Sequence, residues 1–326
     1  MFDLITMGEA MIRLTPLNFE RVVQADTFLA GTSGSELNTA IGAAQLGLKT
    51  CWVSRLVDNP IGWRIANTAR EHGVDISHIL WVSEGRVGLY YYEMGASTRA
   101  SRVYYDRCHS AMSQLEPGMI DWSGVLSGCR VFHISGITPA LSASCAAVTE
   151  EVIGAAKQAG CLVSLDINYR AQLWSPGQAR ECIASLLPQV DILLTTLDDA
   201  RIVFGLVAEP VAVARKFIDT YGLKVVAITI REAPSVLRHV WQSVAVSNEV
   251  ACLGERIDLE LVDRMGSGDA YTAGFLFGYL TGDLTKAVAY GDAMSALKHS
   301  VPGDHPWATL SEVERQVKSR ETKIQR

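Results

Sequence analysis

The sequence predicts an α/β fold in which a mostly parallel sheet carries helices on both faces and a small extra β-sheet covers one end. Three observations lead there. Strand-like and helix-like segments alternate through the middle of the chain. Two aromatic stretches of strand character interrupt that rhythm. A glycine turn, DRMGSGDAYTAG (263–274), opens a long apolar helical run near the C-terminus.

The N-terminus, MFDLITMGEAMIRL, is apolar but carries Asp3, Glu9 and Arg13, so it reads as a first buried strand and not as a signal sequence. CRVFHISGI (129–137) reads as a buried strand, 142–159 as an amphipathic helix ending at Gly160, and CLVSLDINY (161–169) as a strand. A helix over 176–187, the strand VDILLTT (190–196), a helix over 210–220 ended by Tyr221-Gly222, and the strand KVVAITI (224–230) follow. This alternation argues for βαβ units, whose sheets bind ligands beyond the carboxyl ends of their strands. SGITP, DINYR, TTLDD and TIRE all fall there.

Residues 10–32 and 86–107 break the pattern. VGLYYYEMG and SRVYYDR alternate and are aromatic, which suggests antiparallel pairing. They are expected to form a lid, built by two excursions from a single domain spanning 1–326. Tyr91 and Tyr92 are read as packing residues, because alternation sends neighbours to opposite faces. From Gly268 onward two packed helices are expected, and 309–320 reads as a charged amphipathic helix.

Composition excludes several classes of function. A chain of 326 residues with 48% hydrophobic and 20% charged residues can bury a substantial core, and its net charge of −6 offers no nucleic-acid footprint. The seven cysteines are scattered without a CxxC pair, which suggests reduced thiols in a cytoplasmic protein and no structural zinc. No run is long and apolar enough to span a bilayer.

The glycine turn carries the chemistry. Gly266, Ser267 and Gly268 permit a tight turn with backbone N–H groups exposed at a helix start, an anion site suited to phosphate. Asp269 beside it reads either as a helix cap or as a base that takes a proton from an attacking hydroxyl, and the turn alone leaves these equally open. A Walker loop would need Lys-Ser/Thr where Ala270-Tyr271 stand. A dinucleotide fingerprint belongs near the start of a βαβ unit, and this turn comes too late in the chain.

Across nearly its whole length the chain resembles the ribokinase-like (phosphofructokinase-B type) sugar kinases. These have a glycine turn ending in a catalytic aspartate and an N-terminal turn with an asparagine, matched here by Gly34-Ser35-Glu36-Leu37-Asn38. FHISGITPALS (132–142), SLDINYRAQLWSP (164–176), RVYYDRCHSA (102–111), ITIRE (228–232) and LKHSVPGD (297–304) are similar to segments of 2-keto-3-deoxygluconate kinases. The resemblance implies a ribokinase-like three-layer fold and ATP-dependent phosphorylation of 2-dehydro-3-deoxy-D-gluconate at its primary hydroxyl. Asp269 would be the base, and Gly266, Ser267 and Gly268 the anion hole.

It further implies that Gly34 and Asn38 face the sugar and that Tyr90 and Tyr105 close over it. Arg107 and Arg170 would bind its carboxylate, as planar guanidinium groups suit. Asp304 would lie near its hydroxyls. Asn168, Thr229 and Arg231 would run along the nucleotide phosphates with Gly266 and Gly268, and Asp199 would serve Mg²⁺. A monovalent cation is a further candidate cofactor, and an exposed lid edge invites a homo-oligomer, a dimer or higher. His133 and His109 are read as a core and a loop histidine.

Three departures stand out. Thr196 replaces the family's usual asparagine on the metal side, Ser33 replaces a glycine, and EAPSV (232–236) replaces a glycine pair in the loop expected after ITIRE. Two alternatives stay open. One is a kinase of another sugar (fructose, ribose or 2-keto-3-deoxygalactonate), and the other is a sugar-binding relative that has lost transfer.

Overall fold

A computed structural model describes residues 1–318, so the end of the helix expected over 309–320 lies partly outside the described residues. Seven strands form the parallel body of the main sheet: β1 (Leu4–Met7), β4 (Thr50–Val57), β5 (Ile79–Val82), β8 (Val131–Ser135), β9 (Leu162–Asp166), β10 (Ile192–Thr196) and β11 (Val225–Ser235). They lie in the order β5-β4-β1-β8-β9-β10-β11. Antiparallel β12 (Arg238–Ser247), with β13 (Ala251–Leu253) and β14 (Ile257–Glu260) paired to it, completes that edge.

A parallel sheet covered on both sides needs apolar residues in both phases of each strand. Ile5, Phe132, Leu193 and Val226 enter one core cluster and their neighbours Leu4, Val131, Ile192 and Val225 the other. The first core is closed by α5 (Ala143–Gln158), α6 (Pro176–Leu186), α7 (Leu197–Phe204) and α8 (Pro210–Tyr221) through Val152, Ile183, Val203 and Phe217. The second is closed by α9 (Ser267–Thr281) and α10 (Leu284–His299) through Phe275, Leu276 and Met294. The helices α1 (Ser35–Gln45) and α2 (Pro60–Glu71) pack on β4. No described helix is long and apolar enough to cross a membrane.

The lid is a separate four-stranded sheet in the order β3-β2-β6-β7, made of β2 (Met11–Pro16), β3 (Phe28–Ser33), β6 (Leu89–Glu93) and β7 (Arg102–Asp106). Each excursion contributes one antiparallel pair, as expected, and the two join through a parallel β2–β6 contact. One reading is corrected here. Tyr91 and Tyr92 both pack, Tyr91 edge-on to Phe28 and Tyr92 in a buried cluster with Met11 and Tyr90; only the argument from opposite faces fails, because Tyr92 lies two residues from Tyr90 and shares its face. A second correction concerns EAPSV. It is mostly strand and not a loop, because β11 runs on to Ser235 and turns into β12, and its Ala233 lines the cavity described below. The cysteines are free thiols, and the reading of His133 holds: it is buried against Ser164, and burial holds its pKa down at about 3.

Two glycine substitutions separate backbone propensity from packing. Gly154, inside α5, has room for a methyl group, whereas a Cβ at Gly274 in α9 would lie 2.3 Å from the Tyr290 carbonyl oxygen of α10. Thermal denaturation should show Gly154→Ala gaining about 0.5–1 kcal/mol from helix propensity. Gly274→Ala should lose roughly 1–3 kcal/mol through overpacking. Equal effects at the two sites would contradict the α9–α10 packing.

Candidate active site

The carboxyl ends of β9, β10 and β11, the start of α9 and the inner face of β7 enclose a cavity of about 740 Å³. Of the residues singled out in the sequence, it is lined by Tyr105, Asn168, Arg170, Thr196, Asp199, Thr229, Arg231, Gly266, Ser267, Gly268 and Asp269. Seven separate stretches of chain therefore converge on one opening.

Helix α9 begins at Ser267 after Gly266, whose φ of 76° is left-handed backbone suited to glycine. A Cβ there would also strike the Asp304 carbonyl oxygen at 1.9 Å, so both conformation and close approach require the missing side chain. No side chain caps this helix. Its first N–H groups have no intrahelical partner, and with the helix dipole they favour an anion. Gly268 leaves that approach open.

Asp269 sits in the first turn and is not the cap, so the cap reading fails. Its carboxylate accepts hydrogen bonds from Ser35 Oγ at 2.7 Å and Asn38 Nδ2 at 2.7 Å, both on the first turn of α1. Asn168 Nδ2 in turn donates to Ser35 Oγ at 2.9 Å. Burial raises the Asp269 pKa above the ordinary carboxylate value. Asn38, Ser35 and Arg170 partly offset this.

Charge divides the rest of the cavity. Arg170, Arg231 and Arg264 line it, and none of them is ion-paired to a carboxylate among the described residues. Burial, then the nearby charges of Arg264 and Arg170, lower Arg231 to about 10, and its Nε has no partner. Such mutual repulsion is relieved by a bound polyanion. Two carboxylates share the cavity with Arg170, whose charge lowers both: burial raises Asp199, and it raises Asp166 well above its usual range, aided by Asp199 and Asp269. Thr196 Oγ1 caps α7 by accepting from the Asp199 N–H at 2.9 Å, so the threonine supplies the acceptor an asparagine would have given.

Five expected site residues stand behind this surface. Gly34 packs on the backbone of Glu9 and Ala10, and Asn38 holds Asp269, so neither is presented to the cavity. Arg107 is buried with both Nε and Nη2 on the Glu9 carboxylate, its guanidinium committed and 5.3 Å above Tyr105. Tyr90 donates to Asp304 at 2.8 Å, and Asp304 also accepts from Ser33 and Arg13. Burial alone would push Asp304 up, but Arg13, Ser33 and Tyr90 hold it below the usual carboxylate value.

Sequence reasoning missed Ser35, Arg13, Asp166, Tyr92 and Arg264. Ser35, Asp166 and Arg264 each sat inside a motif already quoted.

Comparison with known proteins agrees with this geometry. A family profile described as pfkB family carbohydrate kinase matches residues 1–308. A 2-dehydro-3-deoxygalactonokinase of Haloferax volcanii is 35% identical over 325 residues, covering 99% of both chains. A 2-dehydro-3-deoxygluconokinase of Thermoproteus tenax is 29% identical, covering 94% of this chain and 90% of the relative. The crystal structure of a 2-dehydro-3-deoxygluconokinase from Thermotoga maritima superposes with a TM-score of 0.93 at 35% identity, covering 97% of this chain and 98% of that one.

Glu36, between the two residue positions that hold Asp269, is buried without a cation. Its Oε1 accepts from Ser135 N, Ser135 Oγ and Thr138 Oγ1 at 2.7–2.9 Å, and its Oε2 has no partner. Burial raises its pKa to about 7 from an ordinary 4.5. The native state therefore holds a proton that the unfolded chain loses, and this contribution to stability falls as pH rises from about 4.5 to about 7. Urea titrations at pH 5 and pH 8 should show Glu36→Gln removing a pH-dependent term of up to about 3 kcal/mol. An unchanged pH dependence would contradict the assignment.

Proposed function

The chain belongs to the pfkB family of carbohydrate kinases, and we propose that it phosphorylates the primary hydroxyl of 2-dehydro-3-deoxy-D-gluconate at the expense of ATP. One observation carries this reading. Asp269 is held by Ser35 and Asn38 beside an uncapped helix start, facing a cavity that also receives three arginines.

Asp269 accepts the hydroxyl proton as the sugar oxygen forms its bond to the γ-phosphorus and the bond to the ADP oxygen breaks. The backbone N–H groups of the Gly266–Gly268 turn stabilise charge on the transferring group. Asn168, Thr229, Arg231 and Arg264 run along the nucleotide phosphates. Arg170 is the partner for the sugar carboxylate, since Arg107 is committed to Glu9.

The donor set fits Mg²⁺. Asp166 and Asp199 are carboxylates raised by burial and nearby negative charge, which a cation would relieve. Asp166 and Asp199 would hold the ion, which needs no more than one or two carboxylates from the protein. When bound, Mg²⁺ supplies charge neutralisation on those phosphates.

The 35% identity to the galactonokinase of Haloferax volcanii favours a second reading, the 2-keto-3-deoxygalactonate epimer. Coupled ADP-release assays with both keto-deoxy acids, fructose and ribose separate the candidates. Turnover of the gluconate with the highest kcat/KM is expected; a neutral sugar as the best substrate would overturn the sugar-acid reading.

Two further outcomes follow. Arg170→Met should raise KM for the sugar acid roughly 10- to 100-fold, the worth of a charged hydrogen bond, in initial-rate assays. Because Asp269 must be ionised to act and its pKa is raised, kcat should decline on acidification at a pH above the ordinary aspartate value.

A further inference from the structure

Arg13, on the lid strand β2, is 4% exposed and makes no contact with the cavity. Its Nη1 donates to Asp304 Oδ1, its Nη2 to Asp263 Oδ2 at 2.5 Å and its Nε to Thr15 Oγ1 at 2.8 Å. Its guanidinium lies 4.6 Å above the Tyr92 ring. All three guanidinium nitrogens are therefore bonded inside the protein.

The two carboxylates it joins flank the glycine turn. Asp263 accepts from Met265 N at 3.0 Å and from Gly303 N at 3.1 Å, which ties down the irregular segment leading into Gly266. The Asp304 carbonyl oxygen is the atom against which Gly266 packs. Behind them, the buried Lys298 Nζ donates to the carbonyl oxygens of Asp263 at 3.3 Å and Val301 at 3.1 Å. Arg13, Asp263, Asp304 and Lys298 thus lie buried together at the junction of lid and turn.

Buried ion pairs seldom stabilise a fold more than well-packed apolar groups would, so stability is a weak reason for this arrangement. Geometry is a better one. One guanidinium shared by two carboxylates from different parts of the chain, beside a lysine held on the backbone next to them, fixes the relative position of three chain segments. We propose that Arg13 is a positioning residue for phosphoryl transfer: by bridging Asp263 and Asp304 it locks the lid onto both sides of the Gly266–Gly268 turn, so that the phosphate cradle is set only while the lid is docked. The proposal rests on the kinase reading of that turn.

The test compares Arg13→Met and Arg13→Lys with the wild type, and uses Ile65→Ala, on the buried face of α2, as a control that loses stability elsewhere. Each is assayed at a temperature where circular dichroism shows it folded, for kcat, KM for ATP and ATP consumed per sugar phosphate formed. Arg13→Met should lower kcat about 100-fold, the cost of a misplaced reacting group, while KM for ATP stays within about 3-fold. ATP consumed per product should rise above one as the lid and turn uncouple.

Arg13→Lys, which keeps the charge but can satisfy only one carboxylate well, should recover about 10-fold of that loss. Ile65→Ala should keep kcat within about 3-fold. Wild-type kcat in either Arg13 variant, or an equal loss in Ile65→Ala, would overturn the proposal. If Arg13→Met fails to fold, Arg13→Lys decides alone: a lowered kcat with unchanged KM for ATP supports the lock, and wild-type kcat refutes it. The assay uses whichever carbohydrate the wild-type enzyme phosphorylates. A wrong substrate assignment then shows in the wild type, and a wrong role for Arg13 only in the variants.

Discussion

The structure depends on holding one carboxylate beside a helix N-terminus without letting that helix neutralise it. Asp269 could satisfy itself on the backbone of its own first turn. Instead it is drawn to Ser35 and Asn38 on α1, a segment more than two hundred residues earlier in the chain. Those two donors leave the start of α9 uncapped, so its N–H groups stay available to an incoming anion. Two hydrogen bonds thus keep acid and anion site adjacent but separate.

Everything around that contact serves its geometry. Tight packing of α9 on α10, with glycines at the closest approaches, fixes the helix. Glu36 anchors the start of α1 to the end of β8 through Ser135 and Thr138. On the other side, Arg13, Asp263 and Asp304 tie the lid to the turn. The cavity itself keeps three arginines that have no ion-pair partner among the described residues, with Asp166 and Asp199 raised by burial beside Arg170. A fixed frame around an electrostatically frustrated opening suits a charged ligand.

Much of this was legible in the sequence, because the signals were local. Continuous apolar runs announced the buried strands, the rhythm of helices announced a parallel sheet, and Gly266-Ser267-Gly268-Asp269 announced the turn. The aromatic stretches announced a lid, although misapplied alternation set Tyr92 on the wrong face. What stayed hidden was pairing over distance. Arg13 meets Asp263 and Asp304 across 250 and 291 residues, and no window of sequence contains both. Arg107 looked available for the substrate because nothing local foretold Glu9 as its partner. Thr196 looked like a defect on the metal side, yet one accepted hydrogen bond from the Asp199 N–H gives it a place. EAPSV was taken for a loop because the extension of β11 is imposed by its neighbour β12 and not by its own composition.

The central claim is that Asp269 takes the proton of the attacking hydroxyl. Single-turnover phosphoryl transfer by Asp269→Asn, measured beside sugar binding by calorimetry, tests it most directly. The asparagine keeps the size of the side chain and loses the capacity to accept that proton. Transfer should fall by a factor on the order of 10²–10⁴, the usual worth of a general base, while sugar affinity stays within a few-fold. Transfer at near wild-type rate, with the sugar bound normally, would contradict the account.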